Sequence, residues 1–174
     1  MEVFEAVETL LAIRSYEQKS IPQDTVTRIL QAARLTASSR NTQEWDFVVV
    51  QDKETLQRLA KLARTGSYIG GAAMAIAVVV PTHSIGPVDG ARAAQDMMLV
   101  AWEEGIGSNW VGNVNTAEIK DFLAVPQDRM LLTIIPFGYP TRDVGAGIKD
   151  RKPLSEIAHA EKFGQAYSGA RSSL

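Results

Sequence analysis

Two short stretches of this 174-residue sequence carry side chains whose types and spacing could do chemistry. The first is Ser38-Ser39-Arg40-Asn41-Thr42-Gln43, where five hydrogen-bonding side chains and a guanidinium stand just before an apolar, β-branched run. Such a loop can serve the polar edge of a heteroaromatic ligand, whose carbonyls and ring nitrogens need several convergent partners in a largely apolar pocket. By composition alone an ordinary polar turn is the simpler reading. The second is Lys149-Asp150-Arg151-Lys152, which follows a glycine-rich stretch. Three cations within four residues can neutralise a phosphate, and arginine can bind two of its oxygens at once. A surface charge cluster is the simpler alternative.

Other chemistries fall away. The chain has no cysteine, which excludes disulfides, thiolate metal sites and a thiol nucleophile, so any redox chemistry must be carried by a cofactor. His83 and His159 lie far apart, neither has ligands at metal-binding spacing, and no metal is expected. There is no Gly-x-Ser-x-Gly elbow, no Gly-x-Gly-x-x-Gly after a strand and no phosphate-loop lysine motif. Eighteen basic and 20 acidic side chains leave a formal charge of -2, with no global field to draw the chain to nucleic acid or an anionic membrane. The longest apolar run, 72–80, is too short for a bilayer, which needs ~20 residues. The acidic N-terminus lacks the basic start of a signal peptide, and a cytoplasmic protein is expected.

The elements that must position the two stretches read as follows. A hydrophobic content of 45% against 22% charged residues places the chain among globular proteins, and its length suits one domain over 1–174. Residues 3–11 have helical spacing. A second helix follows Ser20-Ile21-Pro22-Gln23, which resembles a capping box, and carries Val26, Ile29, Leu30 and Ala33 on one stripe. Strands are predicted at 47–51, 73–80 and 130–137, with a short strand or turn at 108–113. Asp52 can cap a helix with Leu56, Leu59, Ala60 and Ala63, and Asn115 with Glu118 another with Ile119, Phe122 and Leu123. Asp89 opens a long helix with Ala94, Met97, Met98, Ala101 and Trp102, apolar on more than one face. A dimer core or a central helix within a monomer would explain that equally. A loop at 138–153, a last helix from Leu154 and a tail at about 166–174 complete the chain. This order fits a mixed α/β sandwich and lacks the steady βαβ alternation of a doubly wound fold.

Taken together, four segments resemble the nitroreductase family along nearly the whole chain. MEVFEAVETLLAIRSY is similar to the family's opening helix and R-R-S-x-R-x-F motif; ARLTASSRNTQEWDFVVVQD to its A-x-x-A-P-S-x-x-N-x-Q-P-W-x-F segment. AAQDMMLVAWEEGIGSNWVGN resembles the long helix ending in G-L-G-S-x-W, and FGYP with KDRKPLSEIAH the G-Y-P turn and the basic stretch before P-L-x-E-x-x-H.

The resemblance implies an α+β fold, a nitroreductase-like three-layer α/β/α sandwich with a mainly antiparallel central sheet. It implies a homodimer with FMN between its subunits, NADH or NADPH as donor, and a nitroaromatic, quinone or similar small acceptor reduced by a ping-pong mechanism. By that likeness Ser38, Ser39 and Asn41 face the flavin ring from the partner chain, and Gln43 and Trp45 anchor their loop. Lys149 and Arg151 grip the phosphate together with Arg14, and Gly112 and Asn113 approach the N5 edge of the ring. No catalytic side chain is expected, because the flavin carries the chemistry. The chain departs from the pattern in placing Leu10, Leu11 and Ala12 where R-R-S is expected, and Ala37 and Glu44 where the ring loop has prolines. A degenerate, noncatalytic homodimer that binds a ligand or a partner is the alternative reading.

Overall fold

The two longest apolar runs pair with each other at the centre of the molecule. In the computed structural model, which describes residues 1–83, 85–142 and 149–167, β2 (Met74–Pro81) runs antiparallel to β4 (Arg129–Gly138), with Ala77 opposite Ile134 and Ile76 opposite Ile135. The strand β1 (Asp46–Val50) borders β2, and the two-residue β3 (Gly107–Ser108) borders β4. The order is β1-β2-β4-β3, antiparallel throughout.

Side chains alternate across a strand, and β2 shows the result. Met74, Ile76, Val78 and Val80 enter one core with α2 (Gln23–Leu35) and α4 (Gly86–Glu103). Ala75, Ala77 and Val79 enter the opposite core with α3 (Lys53–Leu62) and α5 (Ala117–Phe122). All eight residues of β2 are buried, as expected of a strand covered on both faces. The three-layer α/β/α sandwich with an antiparallel sheet is therefore present.

The helix starts refine the sequence reading. Asp52 caps α3 as expected, its Oδ1 accepting from the Thr55 amide at 2.8 Å. The predicted capping box before α2 is absent: Pro22 occupies the cap position and no side chain closes it. Thr116, not Asn115, caps α5, and the Asn115 Oδ1 instead accepts from the Leu131 amide at 3.0 Å. The long helix α4 begins at Gly86, three residues before Asp89. A Cβ at Gly86 would stand 2.5 Å from the Pro81 carbonyl oxygen, and one at Gly90 would stand 2.6 Å from Val80 Cγ1. Glycine thus lets α4 lie tight on β2.

Packing of α4 on α2, β2 and β4 accounts for its several apolar faces within one chain. It leaves Leu99 and Val100 only half-buried. They line an apolar groove of about 340 Å³ with Ala32 and Leu35 of α2 and with Met1 and Val3 at α1 (Val3–Thr9). On α1 itself Val3, Phe4 and Val7 are exposed.

Downstream of β4 the expected loop starts late, because Pro140 bridges Tyr16 and the Tyr139 carbonyl accepts from the Glu17 amide at 2.8 Å. The last helix, α6 (Leu154–Ile157), is shorter than predicted. Residues 143–148 of the loop and most of the tail lie outside the described residues.

Candidate active site

The Ser38–Gln43 loop sits where the chain leaves α2 and enters β1, at the end of the sheet shared by Asp46, Pro81 and Arg129. Residues 39–41 form one 3-10 turn, closed by the Asn41 amide on the Ser38 carbonyl (3.1 Å) and the Thr42 amide on the Ser39 carbonyl (3.0 Å). Three residues that are not glycine take left-handed backbone: Arg40 at φ 51°, Asn41 at 57° and Gln43 at 52°. Left-handed backbone costs a residue with a Cβ roughly 1–2 kcal/mol, less for asparagine, so the loop needs bonds to hold it. The Gln43 amide donates to Ser38 Oγ at 3.0 Å, and Gln43 Nε2 to the Asn41 carbonyl at 3.2 Å. A further bond runs from the Ser39 amide to Oδ2 of Asp89 on α4, at 2.9 Å. Trp45 is half-buried and packs against Phe47, with ring centroids 6.5 Å apart. The exposed Arg40 and Asn41 side chains and the half-buried hydroxyls of Ser38 and Ser39 are what the loop presents.

The expected cations gather elsewhere. Lys149 Nζ donates to the Val7 carbonyl in the last turn of α1 at 2.6 Å. Burial and the nearby Arg151 guanidinium hold the Lys149 ammonium below the usual lysine range, against an opposing pull from Glu8. Arg151 donates to the Asp150 carbonyl at 2.8 Å. Among the described residues no carboxylate forms an ion pair with Arg14, Lys149 or Arg151. Two neighbouring cations that no carboxylate pairs with among the described residues suit an anion such as phosphate.

Arg14 lies on the segment that bridges Ala12 to Ser108 and Tyr16 to Pro140, with its guanidinium 5.8 Å from the Tyr68 ring centroid. No hydrogen bond joins it to Lys149. Leu10 and Leu11 are half-buried against a cluster of Ile13, Tyr16 and Trp102, so this wall is apolar. The Ser108 hydroxyl, fully buried beside Ala12, has no hydrogen-bond partner among the described residues.

The helix α4 measures how far apart the two groups stand. Asp89 near its start holds the loop, whereas Trp102 near its end donates to Thr9 of α1 at 2.9 Å. Thirteen residues at 1.5 Å rise make about 20 Å between them. By that span the loop lies at the Asp89 end of α4, and the Lys149 cation, bonded to α1, lies toward its Trp102 end. Gly112 and Asn113 belong to neither group. The Gly112 carbonyl accepts from Thr65 Oγ1 at 2.9 Å, Asn113 is left-handed at φ 55°, and Val111 before them bridges Ile134 midway along β4. Space around Gly112 is open, with no atom within 4 Å of an added Cβ.

The model of the nitroreductase family matches residues 12–82 and 82–139. The chain belongs to the nitroreductase family. Family membership agrees with solved structures: a structure described as an FMN-dependent nitroreductase from Clostridium difficile superimposes with a TM-score of 0.84 at 26% identity, over 92% of this chain and 99% of that one. Among curated relatives, a Methanothermobacter thermautotrophicus protein, provisionally named as an NADH dehydrogenase/NAD(P)H nitroreductase, is 28% identical over 83% of this chain and 81% of its own length. An NADPH-flavin oxidoreductase from Vibrio harveyi is 26% identical over 90% of this chain and 74% of its own length. The family match includes Arg14, the Ser38–Gln43 loop and Gly112-Asn113. It leaves out Leu10 and Leu11 on one side and Lys149 and Arg151 on the other.

Sequence reasoning missed Asp89 as a partner of the loop. Its position at the start of a helix gave it an adequate local explanation, and a contact 50 residues away leaves no mark in spacing.

Proposed function

We propose that this chain is a cytoplasmic, FMN-dependent oxidoreductase that passes hydride from NADH or NADPH to a small oxidised acceptor, a nitroaromatic or a quinone, in two ping-pong half-reactions. The working unit is a homodimer in which the loop of one protomer and the cations of its partner share one cofactor. The observation that carries this reading is the separation of the two groups by α4, about 20 Å by its rise per residue. A two-fold axis brings the end of one chain to the opposite end of another, and creates two equivalent composite sites. The exposed Val3, Phe4 and Val7 of α1 and the adjoining apolar groove supply surface for that contact.

The donor set fits a flavin mononucleotide. Ser38, Ser39 and Asn41 offer hydroxyls and an amide to the carbonyl and nitrogen edge of the ring, while Gln43 keeps Ser38 in place through its backbone amide. Lys149 and Arg151, assisted by Arg14, would hold the phosphate by charge. Gly112, with open space at its Cα, allows backbone to approach the ring, and an amide there can stabilise negative charge. The flavin, when bound, supplies the acceptance and release of hydride. The protein's part is to bind, orient and shield from water.

Leu10 and Leu11 favour a second reading, a noncatalytic homodimer, because apolar side chains stand beside the place where the phosphate would lie. One experiment separates the two. Protein purified with added FMN is expected to be yellow, with a flavin band near about 450 nm, and to oxidise NADH or NADPH in the presence of menadione. A colourless dimer that takes up no FMN would overturn the enzyme reading.

A further inference from the structure

The loop's own hydrogen bonds are short-range and exposed, so they close it upon itself without fixing it to the body of the protein. Among the described residues, two polar contacts tie it outward. One is the pair between Glu44 and His83 at 3.3 Å, in which both side chains are largely exposed, and such pairs contribute little. The other is the bond from the Ser39 amide to Asp89, whose side chain is buried. The remaining Asp89 oxygen lies 3.8 Å from Arg92. Asp89 stands in the first turn of the 18-residue α4, where the helix dipole favours a negative group. Its neighbour Gly90 presses that turn against Val80 and Leu132, so the carboxylate is mounted on a closely packed part of the frame.

We infer that Asp89 is the positioning residue of the cofactor loop: it acts through the Ser39 amide to set the left-handed course of Arg40 and Asn41, and so the direction in which Ser38, Ser39 and Asn41 present their side chains. The inference rests on the flavin reading for the identity of the ligand. It also narrows the donor set, because the Ser39 amide is committed to Asp89. What the loop keeps for a ligand is the Ser38 and Ser39 hydroxyls and the Asn41 amide group. A loop with three left-handed residues and no glycine would otherwise relax, since each such residue has a lower-energy alternative.

The test compares FMN affinity, read from quenching of flavin fluorescence, with the thermal midpoint of each apoprotein. Asp89→Ala is expected to weaken FMN about tenfold or more, and Asp89→Asn, which keeps an oxygen acceptor, to come within about threefold of the wild type. Asp52→Ala, which removes the cap of α3 far from the loop, serves as the control for general loss of stability and is expected to leave FMN affinity unchanged. Wild-type affinity in Asp89→Ala would overturn the inference, as would an equal loss in Asp52→Ala. Amide exchange in the wild-type apoprotein needs no variant: Ser39 should exchange slowly and Arg40 fast, whereas fast exchange at Ser39 would show that the latch does not form. Protected Ser39 in a protein that binds no FMN would sink the flavin reading and leave the latch standing.

Discussion

The two halves of the proposed site are built by different means. At one end of the sheet, the Ser38–Gln43 loop is shaped by its backbone, closed by four internal hydrogen bonds and tied to a buried carboxylate. At the other, Lys149 and Arg151 act as long side chains, the first half-buried and the second exposed, and their local hydrogen bonds reach the carbonyls of Val7 and Asp150. The family match covers the first and stops short of the second. In the proposed site, ring recognition would thus depend on fixed geometry, in which a small error misdirects every donor. Phosphate recognition would depend on charge, which tolerates displacement and can be supplied by whichever cation is near. On that proposal, Leu10 and Leu11 would not by themselves forbid an anion held by the cations.

The comparison can be broken or sharpened in five ways. The largest effect is expected from mixing protomers. A chain carrying Ser38→Ala and Asn41→Ala and a chain carrying Lys149→Ala and Arg151→Ala should each fail to hold FMN, whereas an equimolar, reassembled mixture should recover about a quarter of the wild-type sites, because half the dimers are mixed and each has one intact site. A mixture as empty as its parents would show that the site is not shared between chains.

Next in size is the Lys149→Ala, Arg151→Ala chain alone. It should bind FMN about 100-fold more weakly yet bind riboflavin as the wild type does, since charged contacts of ~1.5–3 kcal/mol each are lost only for the phosphate. Equal losses for both flavins would assign the cations another role. The pH dependence has a defined sign: Lys149 must be protonated to hold an anion, and its pKa is held down by burial and by Arg151. FMN affinity should therefore decline with rising pH sooner than for an ordinary lysine.

A smaller gain is expected from Leu10→Arg, made singly or with Leu11→Arg. Titration should show FMN bound about tenfold more tightly per added cation, with a lower apoprotein melting midpoint, because a half-buried leucine leaves its cluster. Affinity that stays flat would refute the alignment that places these residues at the phosphate. The least effect belongs to Ala12→Ser. It offers a partner to the orphaned Ser108 hydroxyl across the bridge and should raise stability by about 0.5–1.5 kcal/mol in denaturant titration.

How much of this was legible in the sequence differs between the same two regions and the frame. The strands of the core were readable because β2 and β4 are continuous apolar runs, and α3 because Asp52 and its leucine stripe agree. The start of α4 was not: Gly86-Pro87 looks like loop punctuation, whereas the glycine serves a close approach to Pro81 that only the fold creates. Asn115 and Thr116 are adjacent cap candidates, and the choice fell to Thr116 because Asn115 is used by β4. Ser38, Ser39 and Asn41 stood out by type, but their left-handed neighbours did not, since no glycine marks Arg40, Asn41 or Gln43. Lys149 and Arg151 were visible as a charge cluster; their distance from the loop was not, because it is set by packing around α4.

That helix has a consequence for variation in the chain. Its middle turns need touch no ligand, yet they fix both the spacing and the rotational phase between the Asp89 end and the Trp102 end. Removing one residue there would turn one end by about 100° relative to the other and shorten the span by about 1.5 Å. Substitutions that keep the apolar volume of Met97 or Ala94 can be absorbed by local repacking. A change of length cannot, so the interior of α4 should be the segment least tolerant of insertion or deletion in natural or engineered descendants of this protein.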